Sequence, residues 1–186
     1  MKTSPGGRSS VRISAGRWKG RRLEVPESAR PTSSRAREAL FDILAPRIPG
    51  ACVLDLFAGS GAVGFEAVSR GAARAVLVDP DPGALCRARE TLGAGDEIVI
   101  VASDAAKAVA DLERRGERFD VVFADPPYWS NERTIEDLSA VASLLTPGGV
   151  FVVQTDSGDK RPSLEGFALE ESRSYGRNVF HFLRIL

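Results

Sequence analysis

The segment Asp125-Pro126-Pro127-Tyr128 carries the residues best suited to chemistry on a substrate. Proline has no backbone N–H, so two consecutive prolines leave their carbonyl groups without a nearby amide donor, and the turn becomes an array of acceptors. The NH₂ of a nucleobase has two hydrogens, which the Asp125 carboxylate and the Pro126 carbonyl can accept while the nitrogen lone pair faces an electrophile. Tyr128 can stack on that base once the base has left its helix or loop. The segment predicts a catalytic clamp for a base amine; the alternative is a rigid turn with a packing tyrosine.

A glycine-rich turn follows an earlier apolar run, with Gly59, Gly61 and Gly64 in the pattern G-x-G-x-x-G. Such a turn lets the backbone approach a ligand at a helix N-terminus, and it serves nicotinamide dinucleotides, flavins and S-adenosylmethionine as well as plain strand-to-helix turns. Asp55 lies four residues before Gly59, where its carboxylate repels a pyrophosphate and attracts a cationic ligand. Charge therefore favours the ammonium and sulfonium groups of S-adenosylmethionine.

Two further acidic residues follow the next two predicted strands. Asp79 comes 20 residues after Gly59 and can accept both hydroxyls of a ribose, in a dinucleotide as well as in S-adenosylmethionine. Asp104 can accept from an adenine amino group or cap the helix that follows it, and the two roles are compatible. Ligands of open α/β sheets bind at the carboxyl ends of the strands, so we expect Asp55, Asp79, Asp104 and Asp125 to lie on one rim.

Charge is divided unevenly along the chain. Residues 1–37 contain ten Lys or Arg and two Glu, a net charge of +8, and because the whole chain is neutral the remainder carries −8. Clustered cations on an acidic body are typical of a surface that binds phosphate, although a solvated terminus has the same composition. The candidate nucleic-acid contacts are Arg12, Arg17, Trp18, Lys19, Arg21, Arg22, Arg30, Thr32, Arg35 and Arg37. Trp18 can stack on a base or anchor a hairpin against the domain.

The elements that position these residues follow from the hydrophobic pattern. Short apolar strands at 52–57, 75–78, 98–101, 121–124 and 150–154 alternate with helical stretches at 62–70, 82–92, 104–115 and 134–145. This alternation predicts a doubly wound α/β fold with a mostly parallel sheet. Strands at 167–175 and 179–186 predict a final hairpin that places an antiparallel strand at the sheet edge. Before the sheet, a hairpin over 11–14 and 21–25 precedes a helix from Ser33 or Ser34 to Leu44.

Composition sets the broad class. A chain of 186 residues with 43% hydrophobic and 27% charged residues is typical of a folded globular protein. We divide it into a basic arm, 1–32, and a main domain, 33–186. Two cysteines and a single histidine provide neither a disulfide framework nor a zinc site. No apolar run reaches the roughly 18–20 residues of a membrane span and the N-terminus has no signal-peptide pattern, so we expect a cytoplasmic protein.

Several of these segments together resemble a known family. They are Arg12 to Gly16, Gly20 to Leu23, Arg30-Pro31-Thr32 with Arg35, Arg37-Glu38 and Leu40-Phe41, Leu54 to Gly61, and Asp125 to Tyr128. The set closely resembles the RsmD-type bacterial 16S rRNA guanine-N2 methyltransferases over most of the chain. Two departures are Asp79, where relatives often carry Glu, and the proline beside the helix over 82–92, the second of the strand–helix alternation.

The resemblance implies a Rossmann-like S-adenosylmethionine-dependent methyltransferase fold and a substrate guanine in 16S rRNA, within a small-subunit ribosomal particle. Together with the Asp-Pro-Pro-Tyr segment it predicts catalysis at Asp125, Pro126, Pro127 and Tyr128, and we expect a monomer without a metal. The implied cofactor contacts are Asp55, Phe57, Ala58, Gly59, Ser60, Gly61, Asp79, Pro80, Asp104 and Ala105.

Three other functions fit parts of the sequence. An adenine-N6 DNA methyltransferase uses a similar Pro-Pro-Tyr turn, but this chain has no separate domain to recognise duplex sequence. A nicotinamide-dependent oxidoreductase uses similar glycines. A noncatalytic RNA-binding module accounts for the basic arm alone.

Overall fold

The computed structural model describes residues 9–26, 32–127 and 132–186. Two short strands come first, followed by a helix and then by alternating strands and helices. The strands are β1 (Ser10–Arg12), β2 (Arg22–Glu24), β3 (Cys52–Asp55), β4 (Arg74–Asp79), β5 (Ile98–Ala102), β6 (Phe119–Ala124), β7 (Leu145–Asp156), β8 (Phe167–Tyr175) and β9 (Asn178–Ile185). The α-helices are α1 (Ser34–Leu44), α2 (Ala62–Ser69), α3 (Gly83–Leu92), α4 (Ala105–Arg114) and α5 (Glu132–Ser139).

Seven of the strands form one sheet in the order β5-β4-β3-β6-β7-β9-β8. The first five strands in this order, β5, β4, β3, β6 and β7, are parallel. Strand β9 pairs antiparallel with both β7 and β8. This confirms the doubly wound α/β fold and the antiparallel C-terminal strand. The structure adds that β9 lies second from the edge, because the final hairpin folds β8 to its outer side.

The sheet is covered on both faces by separate hydrophobic clusters. One cluster joins side chains of the β1–β2 hairpin with those of α1, α2 and α3, and the other joins α4 and α5 to the opposite face. Leu77 of β4 belongs to the first cluster and its neighbour Val78 to the second, as the alternation of side chains along a strand requires. No helix among the described residues is long and apolar enough to cross a membrane.

Several boundaries differ from the sequence prediction by one or two residues, and the largest difference lies before β7. The helix predicted over 134–145 is α5 followed by a 3-10 turn, Ala140–Leu144. Strand β7 then begins at Leu145 rather than at residue 150, because Leu145 already pairs with Phe119 of β6. A shift of register between Phe119 and Val121 accommodates the intervening Pro and Gly residues, which the local sequence alone marks as a break.

The β1–β2 hairpin packs tightly on α2. Gly16 has a φ of +78°, and a Cβ there would lie 1.7 Å from the Ser69 carbonyl oxygen, so only glycine fits this contact. The Trp18 N–H donates to the Ser69 hydroxyl at 3.0 Å, and the Trp18 ring meets Phe65 edge-on with centroids 6.1 Å apart. Because Trp18 is only 7% exposed, its predicted stacking on a base is wrong; it is the hairpin's anchor in the core.

Candidate active site at the carboxyl ends of the strands

A cavity of about 880 Å³ opens at the carboxyl ends of β3, β4, β6 and β7. It brings together most of the residues that the sequence predicted for cofactor binding and catalysis. Those on its wall are Asp55, Phe57, Ala58, Gly59, Ser60, Asp79, Pro80, Asp125, Pro126 and Pro127, and Thr32 also lines it. Tyr128 lies outside the described residues. The cavity therefore places the acidic turn of β6 beside the glycine turn of β3.

The glycine turn has the backbone that its sequence predicts. Gly59 and Gly61 have φ angles of +54° and +74°, a region that favours glycine. Gly61 precedes α2, and a Cβ at Gly64 would lie 2.8 Å from the side chain of Leu77. The first two glycines therefore shape the turn, and the third lets α2 approach β4 closely. Gly61 itself is buried and is not among the residues that line the cavity.

Asp55 is a buried carboxylate with one unsatisfied oxygen. Its Oδ2 accepts from the Gly64 N–H at 3.2 Å. Its Oδ1 is buried and accepts no hydrogen bond from the described residues. Burial raises the pKa of Asp55 to about 7, opposed by the Gly64 N–H and assisted by the nearby charges of Asp125 and Asp79. An unpaired carboxylate oxygen on a cavity wall fits a cationic or hydrogen-donating group of a ligand.

Asp79 and Asp104 both organise the backbone of this rim. Asp79 accepts from the Gly59 N–H at 2.8 Å, which ties the end of β4 to the glycine turn, and it faces the same cavity. Asp104 caps α4 by accepting from the Lys107 N–H at 3.0 Å. Neither Asp104 nor Ala105 lies on the described part of the cavity wall. Their contact with an adenine therefore stays a prediction.

Asp125 follows the last residue of β6 and lines the cavity. Its Oδ2 accepts from the side-chain amide of Gln154 at 2.9 Å. Burial, and then the charge of Asp156, raise the pKa of Asp125 to about 7. Near neutral pH this carboxyl can therefore either accept a proton or release one.

The cavity also includes residues that the sequence analysis missed. Gln154, Thr155 and Asp156 end β7, and the turn between β8 and β9 contributes four more, Tyr175, Gly176, Arg177 and Asn178. Gln154 is the polar residue that ends the predicted apolar strand 150–154, so the rule used for the acidic residues could have found it. The β8–β9 turn has no comparable local signal.

The predicted cationic contacts of the arm and of α1 differ in how far other described residues already hold their side chains. Arg12, Lys19, Arg22 and Arg35 have exposed side chains. Arg17 pairs with Glu97 and stacks over Trp18, with its guanidinium carbon 4.1 Å from the ring centroid, and Arg21 donates to the Thr91 carbonyl. Arg30 lies outside the described residues.

Arg37 is a correction, because its side chain is only 1% exposed and cannot reach a phosphate. It donates to the Arg12 carbonyl at 2.6 Å and lies 3.8 Å from Glu66, which is itself fully buried in α2. Positions 37, 40, 41 and 44 form one face of a helix, so the spacing already placed Arg37 in the buried stripe. Glu66, the one charged residue in the largely apolar sequence of α2, likewise indicates a buried carboxylate that could pair with Arg37.

Glu66 fixes the hairpin to α2. Its two oxygens accept from the Ser14 N–H at 2.8 Å, the Ser14 hydroxyl at 2.7 Å and the Ala15 N–H at 3.1 Å. Arg70 adds a fourth donor at 2.8 Å.

Within the described part of the chain, no group of three or more His, Cys, Asp or Glu has a metal-binding arrangement.

Comparison with known proteins gives the same family as the motifs. The model of the family described as Conserved hypothetical protein 95 matches residues 11–184. The chain is 43% identical over 132 residues to the Ribosomal RNA small subunit methyltransferase D of Escherichia coli (strain K12), a match that covers 68% of this chain but only 65% of that protein. The protein of the same name from Haemophilus influenzae is 34% identical over 180 residues, 93% of each chain.

A solved structure agrees along the same length. "Putative methyltransferase yhhF from Escherichia coli" superposes with a TM-score of 0.82 at 32% identity, covering 95% of this chain and 98% of that one. Because the family model matches residues 11–184 and the Haemophilus influenzae relative covers 93% of the chain, the protein belongs to the Conserved hypothetical protein 95 family, the RsmD-type family that its motifs resemble.

Proposed function

We propose that this protein transfers a methyl group from S-adenosylmethionine to the exocyclic N2 amine of a guanine in 16S ribosomal RNA. The proposal depends above all on one observation, the cavity in which the Asp125-Pro126-Pro127 turn lies beside Asp55 and the glycine turn. Relatives named Ribosomal RNA small subunit methyltransferase D support the RNA class, and the Asp-Pro-Pro-Tyr motif supports a base amine as the acceptor.

The cofactor half of the cavity fits S-adenosylmethionine. The unpaired Oδ1 of Asp55 offers an acceptor to the ammonium group, directly or through water. The Gly59 turn lets the ligand approach the backbone, and the Asp79 carboxylate accepts from the ribose hydroxyls. The other proposed contacts are Phe57, Ala58, Ser60, Gly61, Pro80, Asp104 and Ala105. When bound, the cofactor would supply an electrophilic methyl group whose carbon–sulfur bond breaks with the electron pair left on sulfur, so that the leaving group is a neutral thioether and needs no Lewis acid.

The catalytic half holds the amine. The Asp125 carboxylate and the Pro126 carbonyl accept its two N–H groups, which fixes the nitrogen with its lone pair toward the cofactor half. As nitrogen gains the methyl carbon it becomes cationic, and the Asp125 carboxylate stabilises that charge and then takes the surplus proton. A pKa of about 7 lets Asp125 pass this proton to solvent at neutral pH. Tyr128 completes the proposed site by stacking on the guanine.

The exposed cations of the hairpin and α1 form the proposed RNA surface. We define this surface as Arg12, Lys19, Arg22 and Arg35, whose side chains are exposed and, unlike those of Arg17 and Arg21, make no ion pair or hydrogen bond within the described residues. Clustered cations bind phosphate through counterion release. We include Arg17, Arg21, Arg30 and Thr32 as secondary contacts. The proposed substrate is an assembling small-subunit particle, and the proposed active form is a monomer.

The decisive experiment compares Asp125→Ala with the wild-type protein. Transfer of a tritiated methyl group is measured into naked 16S RNA, small-subunit particles and duplex DNA, and nucleoside mass spectrometry locates the product. Asp125→Ala should lower transfer at least about 100-fold, because it removes both the acceptor and the stabilising charge. Calorimetric affinity for S-adenosylmethionine should stay within about threefold, since the amine clamp lies outside the cofactor half.

Asp120→Asn is the matched control. Asp120 lies near the other end of β6 and also accepts from β7, through the Thr146 hydroxyl at 2.9 Å. Its variant should keep its transfer activity. Normal turnover by Asp125→Ala, or methyl transfer to DNA alone, would refute the proposed function.

A further inference from the structure

A buried amide connects the start of α1 to the Asp125 carboxylate. Gln154 is 6% exposed, and its Nε2 donates to Asp125 Oδ2 at 2.9 Å. Its Oε1 accepts from the Thr32 hydroxyl at 3.0 Å. We call this chain of Thr32, Gln154 and Asp125 the Gln154 bridge.

The sheet fixes where the bridge lies. Ala124 of β6 pairs with Val153 of β7 in parallel register, so the next residues, Asp125 and Gln154, are neighbours at the carboxyl ends of the two strands. The Gln154 amide also donates to Asn178 Oδ1 at 3.4 Å, at the first residue of β9. Three partners therefore hold the amide, and its orientation is determined because only its NH₂ end can donate to a carboxylate.

We propose that Gln154 is a positioning residue for the methyl transfer: it holds the Asp125 carboxylate, ionised and in one orientation, with its other oxygen available to the target amine. This inference rests on the proposed function. A buried carboxylate free to rotate would present its two oxygens in several directions, and the amine clamp needs one. A neutral donor also supports the ionised carboxylate without adding a charge that could compete with the substrate.

The electrostatics around Asp125 explain why such a donor is needed. Burial and the charge of Asp156 both favour the protonated form of Asp125, and Asp55 on β3 repels it as well. The hydrogen bond from Gln154 acts in the opposite direction, because donation to a carboxylate favours its charged form. The other charged groups on the described cavity wall are Asp79, Asp81, Asp159 and Arg177.

The test uses two variants of similar shape. Gln154→Met removes the donor, and Gln154→Glu replaces it with an acceptor that carries a negative charge. The kcat/KM for the RNA, whose pH dependence reports the groups of the enzyme before the RNA binds, is measured from pH 5.5 to 9. In the wild type kcat/KM should rise with pH through about 7, as Asp125 ionises. Gln154→Met should move this midpoint up by about one pH unit and Gln154→Glu further, while both approach the wild-type value at high pH.

Thr146→Val is the matched control for the loss of a hydrogen bond between β7 and β6. It also removes a donation from β7 to an aspartate of β6, since Thr146 donates to Asp120 at 2.9 Å, but it lies away from the cavity. Its midpoint should not move. Thr32→Val should shift the midpoint in the same direction as Gln154→Met but less, because it loosens the amide without removing the donor.

Carbon-13 NMR of the Asp125 carboxyl separates this inference from the proposed function. If the protein proved not to be a methyltransferase, the Asp125 titration would still move upward in Gln154→Met. Circular dichroism identifies any variant that fails to fold, in which case Thr32→Val provides the comparison. A loss of kcat/KM that is equal at every pH, with no movement of the Asp125 resonance, would overturn the positioning role.

Discussion

Replacing Glu66 with Gln tests whether one buried carboxylate holds the basic hairpin on the domain. Four hydrogen bonds converge on Glu66, from Ser14 N, Ser14 Oγ, Ala15 N and Arg70 Nε. Gln keeps the shape of the side chain but has a single acceptor oxygen and no charge. The variant leaves Arg37 buried beside a neutral group, with no carboxylate within ion-pair distance among the described residues.

The size of the effect follows from burial. Removing one partner of a buried ion pair costs about 3–5 kcal/mol, because the remaining charge stays desolvated. Arg70 keeps 18% of its side chain exposed and recovers part of its hydration, so we expect the lower end, about 3 kcal/mol. With an m value of about 2 kcal/mol/M, the midpoint of urea unfolding falls by about 1.5 M.

Urea titration followed by circular dichroism measures the loss, and mass spectrometry of tryptic fragments locates it. Cleavage after Arg17, Lys19 and Arg21 should accelerate first, because the hairpin loses its contact with α2. Glu117→Gln is the control: Glu117 pairs with Arg74 at the surface, 26% and 33% exposed, and should lose less than about 1 kcal/mol. If Glu66→Gln costs no more than Glu117→Gln, the buried pair does not hold the hairpin.

Two other predictions concern pH and salt. Because the pKa values of Asp55 and Asp125 are raised to about 7, the folded protein binds protons that the unfolded chain releases, so its free energy of unfolding should fall from pH 6 to pH 8 by about 1.4 kcal/mol per carboxyl. Affinity for S-adenosylmethionine should rise over the same interval as Asp55 ionises. Asp55→Asn should remove this rise and also the share of Asp55 in the stability change. Urea titration measures the stability and calorimetry the affinity, and profiles that do not change with pH would contradict the two predictions. Each Gln substitution at Arg12, Lys19, Arg22 or Arg35 should reduce the slope of log affinity for RNA against log salt by about 0.7–0.9. Arg115→Gln, an exposed cation at the end of α4, should leave that slope unchanged, and equal effects from all five positions would argue against a localised surface.

Much of the site could be predicted from the sequence because its signals are local. The apolar strands, the helix caps and the glycine turn each depend on a few neighbouring residues; of the two cap candidates Ser33 and Ser34 the structure has Ser33, and Asp104 takes the capping role that was one of its two predicted roles. Parallel strands end on one edge, so knowing that Asp55 and Asp125 follow strands was enough to predict that they meet.

The tertiary structure decided which side chains are exposed to a ligand and which are buried in the core. Arg37 and Arg35 are two residues apart and chemically identical, yet one is buried beside Glu66 and the other is exposed. Trp18 became a core residue because Gly16 lets the hairpin approach α2, a contact between positions more than fifty residues apart. Gln154 reaches Asp125 only through the pairing of β6 with β7. Local sequence specifies which groups can form hydrogen bonds and where each strand ends, whereas burial and strand register determine which of those groups meet one another and which remain open to a ligand.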